Sequence, residues 1–376
     1  MKTTGVPGVP GVGSGLTARA ASICLAAGVS AFAASAQAQT SIQLYGVIDT
    51  YVTGIFSSGR SAYGVDSGGL QVSRWGMRGS EGLGGRWKAN FQLENGFNMN
   101  NGTGSVTGGM FNRQAWVGLS HENYGEFRIG QQNSVFFMFL GSIAAFYGGT
   151  YGAGLGTESG YNFRNSNDIM IATPRVAGWR AELHHALGND AQNKANGTSS
   201  QVAVDYRGNG VYFLAGYVEA RPLVSAPNAY KGVVDRQYAI GGSYDIKPFR
   251  LYLGYFKNKQ SDDTINKDLY SVSAAWFITP ADQLSVGYTY IDVKADAANS
   301  DAAVFPGKGH ANHFGLMYLH SLSKRTTLYA SAAYITNSKG LRYALGAAQA
   351  PGGNLLNRPD AGDSTTGVQF GVRHTF

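Results

Sequence analysis

The chain has 376 residues, of which one is cysteine, ten are proline and only 14% are charged. Cys24 falls in an N-terminal stretch that we predict is removed, so the mature protein has no disulfide, zinc–thiolate site or cysteine nucleophile. After residue 38 no stretch approaches ~18 uninterrupted apolar residues, which excludes a transmembrane helix. The H-E-x-x-H, G-x-S-x-G and Walker motifs are absent, and we expect no enzymatic activity, metal or cofactor.

The N-terminus shows the order of features that defines a secretory signal peptide. Lys2 and Arg19 precede an apolar run over 20–33, and Ala36-Gln37-Ala38 fits a cleavage site. The run is shorter than the ~20 residues that a membrane span needs, which argues against an anchor. We therefore predict a signal peptide over 1–38 and an exported mature chain over 39–376. Without Lys2 and Arg19 the formal charge falls from +7 to +5, too weak a bias to indicate nucleic-acid binding.

Glycine, tyrosine and phenylalanine are abundant, with 53, 22 and 19 residues, and the mature chain alternates with a period of two. In one segment Trp87, Phe91 and Leu93 alternate with Lys88 and Gln92, which indicates a strand with one apolar and one polar face. Such strands fit a soluble sandwich with an apolar core. They also fit a membrane barrel with an apolar outside and a wet interior.

The spacing of short polar turn segments favours the membrane barrel. Their starts are separated by 41, 52, 34, 38, 34 and 41 residues, so they cut the mature chain into eight pieces. Each piece is expected to hold a strand, a longer loop and a returning strand. The fold is therefore predicted to be all-β, a 16-stranded antiparallel transmembrane β-barrel with short periplasmic turns and long external loops. A barrel of that strand number leaves an aqueous channel. The predicted turns are 80–85, 121–126, 173–178, 207–210, 245–248, 279–283 and 320–326.

The C-terminal sequence VQFGVRHTF (368–376) alternates to its last residue. We predict that this strand pairs with the first strand, SIQLYGVIDTYV, to close the barrel. Val368, Phe370 and Val372 would then face lipid, and Phe376 would sit in the aromatic girdle at the periplasmic rim.

The longest interval between turns contains an apolar, aromatic and glycine-rich stretch over 133–165. Exposed to water, such a loop would be an aggregation risk. We predict that this third long loop folds into the barrel and narrows the channel. The alternatives are an exposed lid or a loop that contacts neighbouring subunits of a trimer. Glu158 is its only acid before Arg164.

A basic strip is predicted on the inner wall opposite that loop. With a turn at 81–84, Arg74 would lie across from Asn90 or Gln92, and Arg78 across from Arg86 or Lys88. Such a cluster of cations is tolerable beside water or anions, and charged rings set pore selectivity. The predicted pore-lining basic residues are Arg74, Arg78, Arg86, Lys88 and Arg128, and the acidic ones are Asp49, Glu94 and Glu158.

Several motifs in order resemble the general porins of Gram-negative bacteria, most closely the beta-proteobacterial type. They are LYGVIDTYV, SRWGMRGSEGLGGRWKANFQLENGF, FNRQAWVGLS, YGEFRIGQQ, FRNSNDIMIATP, SLSKRTTLYA and GVRHTF. The resemblance implies a homotrimer in outer-membrane lipid and lipopolysaccharide, and passive diffusion of small hydrophilic solutes and ions. It also implies an inward third loop that faces an arginine cluster to which Arg74 contributes, and a terminal aromatic that the insertion machinery reads. The chain has Gly130-Gln131-Gln132 where the family usually has Gly-Arg-Gln, which removes one expected cation and limits anion preference.

Two other functions remain open from the sequence. A substrate-specific channel would share the barrel but needs a defined solute site, to which Tyr147, Tyr151 and Tyr161 of the third long loop could contribute. An adhesin or phage receptor would use the long external loops, and this role is compatible with a channel.

Overall fold

The computed structural model describes residues 41–105, 109–155, 163–191, 193–221, 232–294, 308–345 and 359–376. The predicted signal peptide, Tyr161 and Glu158 lie outside these ranges. The described residues contain seventeen strand segments in one antiparallel sheet and the short helix α1 (Val135–Leu140). The strands are β1 (Ser41–Ser57), β2 (Arg60–Ser67), β3 (Arg74–Gly84), β4 (Trp87–Gly96), β5 (Gln114–His121), β6 (Gly125–Asn133), β7 (Arg164–Ala172), β8 (Trp179–Ala186), β9 (Ser199–Gly208), β10 (Val211–Ala220), β11 (Asp235–Ile246), β12 (Phe249–Gln260), β13 (Asn266–Phe277), β14 (Asp282–Val293), β15 (Gly309–Ser321), β16 (Thr326–Asn337) and β17 (Thr365–Thr375).

The sheet closes on itself through its first and last strands. β1 pairs with β17 from Val47–Thr375 to Ser57–Thr365, as the alternating C-terminus predicts. On its other side β1 pairs with β2 and then with β3, so these two segments together form one strand of the barrel. The barrel therefore has sixteen strands, and the predicted fold class is confirmed.

The alternation of side chains places apolar residues outside. On β17, Phe370 is 62% exposed while Gln369 beside it is 2% exposed, and on β12 Leu253 is 66% exposed. Apolar surface of this extent is stable against hydrocarbon and not against water. Among the described residues, no helix is long and apolar enough to cross a membrane, a finding that does not bear on crossing by strands.

The chain terminus packs into a gap left by a glycine. The backbone N–H of Gly46 donates to the Phe376 carbonyl, and the Phe376 N–H donates back to the Gly46 carbonyl, both at 3.1 Å. A Cβ at Gly46 would overlap the Phe376 ring. This seam lies at the end of the barrel where the short turns are, which we call the turn end. The opposite end is the loop end.

The boundaries of one turn and two loops differ from the prediction. β3 continues to Gly84, because Gly82 stays in the ladder opposite Lys88, and the chain reverses through left-handed residues at Gly84, Gly85 and Arg86. The first loop is a two-residue turn, since Ser58 and Gly59 both have the positive φ that a tight hairpin requires. The stretch 257–267, predicted from its polar composition to be one of the long external loops, is mostly strand, because β12 ends at Gln260 and β13 begins at Asn266.

Candidate channel constriction

The loop between β6 and β7 (residues 134–163, here L3) folds into the barrel in its described part, residues 134–155 and 163, which confirms the predicted inward fold. After α1 its apolar side chains turn toward the inner wall, and Ile143, Phe146 and Leu155 are at most 1% exposed. Burial of such side chains stabilises the docked loop by roughly 1.5–3 kcal/mol each.

Glycines on the inner wall give L3 its docking surface. Gly287, Gly315 and Gly367 lie in register on β14, β15 and β17, with Ala333 of β16 between the last two. A Cβ at Gly287 would lie 2.5 Å from the Phe146 ring, and one at Gly367 would lie 2.9 Å from the Tyr151 ring. On neighbouring strands, Gly241 and Gly254 are paired and contact Ile143 and Leu155 in the same way. We call these five glycines the glycine belt.

Hydrogen bonds fix the depth of L3 in the barrel. The Tyr151 hydroxyl lies 2.6 Å from Thr53 Oγ1, and the Ala145 N–H donates to Ser273 Oγ at 3.0 Å. Burial raises the pKa of the Tyr151 phenol to about 12, so the hydroxyl stays neutral at physiological pH. The Tyr147 hydroxyl donates to Gln283 Oε1 at 2.8 Å. These bonds attach L3 to three strands of the wall, β1, β13 and β14.

Between L3 and the uncovered part of the wall lies a cavity of about 630 Å³, which we call the constriction. L3 contributes uncharged residues, which are Ser134, Phe137, Gly141, Tyr147, Gly148 and Phe163. The wall contributes the ionisable groups, on β3, β4, β6 and β8 and in the loop before β5. They are Arg74, Glu94, Arg113, Arg128, Arg180, Glu182 and His184.

The arginines of this wall are held by glutamates. Glu94 is 6% exposed and accepts from Arg113 Nε at 2.6 Å, with Arg74 Nε at 3.5 Å. Arg128 Nη2 lies 2.6 Å from Glu126, and Arg180 bridges Glu126 at 3.5 Å and Glu182 at 2.9 Å. Four arginines against three glutamates give this group a formal excess of 4 − 3 = +1. The wall is thus mildly electropositive, and ion pairs hold its arginines in place.

The comparisons with known proteins agree with this geometry. Residues 21–340 match the family model described as Gram-negative porin. The chain belongs to the Gram-negative porin family. An outer membrane porin protein of Bordetella pertussis is 30% identical to this porin over 399 residues, which cover 93% of this chain and 98% of the relative. Outer membrane porin protein 32 of Delftia acidovorans is 31% identical over 370 residues, covering 94% and 99%.

Solved structures extend the likeness to the whole barrel. An anion-selective porin from Comamonas acidovorans superposes with a TM-score of 0.72 at 26% identity, and the match covers 90% of this porin and 100% of that chain. OmpF of Salmonella typhi, in complex with daunomycin, has a TM-score of 0.60 at 15% identity and covers 89% and 97%, a likeness of fold alone. The resemblance to beta-proteobacterial porins, inferred from the motifs, is confirmed.

Three of the residues predicted to line the pore border the constriction, namely Arg74, Glu94 and Arg128. Arg128 also stacks on Trp116, its guanidinium carbon 4.1 Å from the ring centroid. Arg78 lies farther toward the turn end, where it donates to Gln43 Oε1 at 2.7 and 3.0 Å. Lys88 follows on β4, still nearer the turn end, and is exposed. These basic residues are therefore spread along the channel axis.

The predicted pairing within the basic strip is wrong. Because the β3–β4 turn comes later than 81–84, Arg74 lies opposite Gly96 and Arg78 lies opposite Gln92. Arg86 is part of the turn itself, 3.7 Å from Glu122 of the next turn, and does not stand on the inner wall.

Asp49 also differs from its prediction as a pore-lining acid. It lies on the inner face of β1 but is 0% exposed, so it does not reach the channel water. With Asp49 buried and L3 uncharged in its described part, we find no acid opposite the arginines among the described residues that line the constriction.

Sequence reasoning missed several charged residues of the constriction. Arg180, Glu182 and His184 alternate with Trp179, Ala181 and Leu183, so their shared inward face was readable from parity. His184 Nδ1 lies 2.6 Å from Asp168 Oδ2, a pairing across β7 and β8 that parity alone does not predict. Arg113 precedes β5 in a loop, where no periodicity indicates which way a side chain points.

Gln131 stands where the porin resemblance implies arginine. It pairs with Ala115 next to a bulge at residues 130–132. Its side chain donates to the Phe111 carbonyl at 3.3 Å and accepts from Ser166 Oγ at 3.1 Å. These contacts hold Gln131 beside the loop before β5, and the neighbouring Gln132 borders the constriction instead.

Proposed function

We propose that this porin forms a water-filled outer-membrane channel for passive diffusion of small hydrophilic solutes and ions, with a weak preference for anions. It has no enzymatic activity and needs no energy source. As the resemblance to general porins implies, it works as a homotrimer in a membrane of lipid and lipopolysaccharide.

One observation carries the anion preference: the four arginines of the constriction stand on one wall, and their glutamate partners neutralise them incompletely. Charged groups lining a narrow, partly dehydrated passage bias which ions enter. A formal excess of one positive charge supports a weak bias, and the name of the anion-selective porin from Comamonas acidovorans agrees in sign. Because Glu94 binds both Arg74 and Arg113, the bias depends on the balance within this cluster.

The test is a pair of arginine substitutions measured in planar lipid bilayers. Arg74→Ala removes a cation of the constriction, whereas Arg86→Ala removes one from an exposed turn. In a salt gradient, the reversal potential of R74A should move toward cation preference, and that of R86A should stay at the wild-type value. Insertion of a trimer should raise the current in groups of three equal steps. Wild-type protein that inserts without conducting refutes the channel, and an unchanged R74A potential refutes the role of the basic wall.

A channel dedicated to one solute has less support. Of the loop tyrosines considered for a solute site, Tyr151 is 1% exposed and packed against Gly367, so it contacts wall and not solute. Tyr147 does border the constriction and is 36% exposed. Saturation of the ion current by one solute, lost in Tyr147→Phe, would favour this second function.

A further inference from the structure

The barrel strand next to β1 carries an insertion. β1 pairs with β2 down to Thr50–Ser67 and resumes with β3 at Val47–Arg74. Two residues of β1, Ile48 and Asp49, thus face six residues, 68–73, so four residues are extra. Since four is even, the side chains of β2 and β3 keep the same inward and outward faces on both sides of the insertion.

The extra residues project into the lumen. Leu70, Gln71 and Val72 border the constriction together with Tyr147 and Gly148 of L3. Leu70 is 1% exposed, whereas Gln71 and Val72 are partly exposed to the cavity. The insertion is therefore a part of the channel lining that does not belong to L3.

L3 and the insertion are bonded to each other. The Thr150 N–H donates to the Gly69 carbonyl at 2.9 Å, and Thr150 Oγ1 donates to the Gly68 carbonyl at 3.0 Å. Gly149 packs on the same backbone, because a Cβ there would lie 3.1 Å from the Gly69 carbonyl oxygen. L3 and the insertion are therefore in direct contact where both border the constriction.

Asp49 supplies the acceptors that hold the insertion in place. Its Oδ2 accepts from the backbone N–H groups of Leu70 at 3.0 Å and Gln71 at 2.7 Å, and its Oδ1 accepts from Tyr329 at 2.6 Å. The Asp49 backbone N–H donates to Ser73 Oγ at 3.0 Å. A buried carboxylate is costly unless its oxygens are hydrogen-bonded, and amides that turn away from a strand ladder need other acceptors. The carboxylate of Asp49 therefore supplies acceptors for the backbone amides of the insertion, and those amides supply the hydrogen bonds that the buried carboxylate needs.

We propose that the insertion over 68–73 is a second narrowing element of the channel and that Asp49 is its positioning residue. The inference rests on the proposed diffusion channel, and it assigns part of the size limit to the barrel strand beside L3's docking surface. The insertion carries no charge, so it acts on the size of the solutes that pass and leaves the ion preference to the arginines.

The experiment compares variants by single-channel conductance and by sugar uptake into proteoliposomes. Deleting residues 69–72 removes the four extra residues and restores a continuous strand, and single-channel conductance should rise above the wild-type value. Larger sugars should enter, while the reversal potential should stay unchanged. Asp49→Ala should raise conductance in the same direction. Asp49→Asn, which keeps one oxygen for the two amides, should stay close to wild type.

Asp235→Ala is the matched control, because Asp235 is a buried inner-wall acid whose partners are Gln237 and Asn258, away from the insertion. The conductance of the D235A channel should equal that of the wild-type channel. A folded deletion variant with wild-type conductance and sugar cut-off overturns the proposal. If the deletion prevents folding, Gln71→Trp is decisive, because a bulky side chain there should lower conductance and an unchanged value overturns the proposal. Wild-type protein that fails to conduct would refute the channel itself, a result distinct from these.

Discussion

Removing the ring of Phe146 should release L3 from the wall. The ring is 1% exposed and fits between the positions of Gly287 and Gly315, with no space for any side chain there. A buried Phe→Ala substitution costs about 3–5 kcal/mol. At 1.4 kcal/mol per factor of ten, the ratio of docked to released L3 should fall by a factor of roughly 10² to 4 × 10³.

The assay is the distribution of single-channel conductances, with sugar uptake as a second readout. Phe146→Ala should broaden the distribution toward higher conductance and admit larger sugars, because the released loop leaves the lumen. Phe314→Ala is the matched control, since Phe314 precedes Gly315 on β15 but faces outward and is 47% exposed. If F146A and F314A both give the wild-type distribution, the glycine belt is not what holds the loop.

Two further substitutions test the arginine wall and the barrel seam. Glu94→Gln should increase anion preference, the opposite sign to Arg74→Ala. It should also destabilise the barrel by about 3–5 kcal/mol, because it leaves the buried Arg113 without its carboxylate. A reversal potential of E94Q that moves toward cation preference contradicts the expected increase in anion preference. Gly46→Ala should cost about 1–3 kcal/mol in urea unfolding, because a Cβ there overlaps the Phe376 ring and lies 2.9 Å from the Arg74 carbonyl oxygen. Gly82→Ala, with no atom within 4 Å, should change stability by less than about 0.5 kcal/mol, and equal costs at the two sites would refute the role of the seam.

The features that depend on local alternation were predictable from the sequence. Strand faces follow from a period of two, so the lipid-facing positions of Val368, Phe370 and Val372 and the inward position of Arg128 agree with the prediction. The pairing of the last strand with the first follows from closure, because an unpaired edge in lipid would leave backbone groups unsatisfied. The composition of L3 likewise indicated burial, since a loop so apolar has no stable place in water.

Features that depend on register and on distant partners were decided only by the tertiary structure. Glycines in SEGLGG indicate a turn but not which two residues make it, and a shift of the turn changed the residues opposite Arg74 and Arg78. The insertion over 68–73 has no periodic signature, so the burial of Asp49 beneath it was not foreseeable. Parity gives the face on which a charge lies. Whether that charge meets water, a glutamate or a backbone amide depends on strands far apart in sequence, which only the closed barrel brings together.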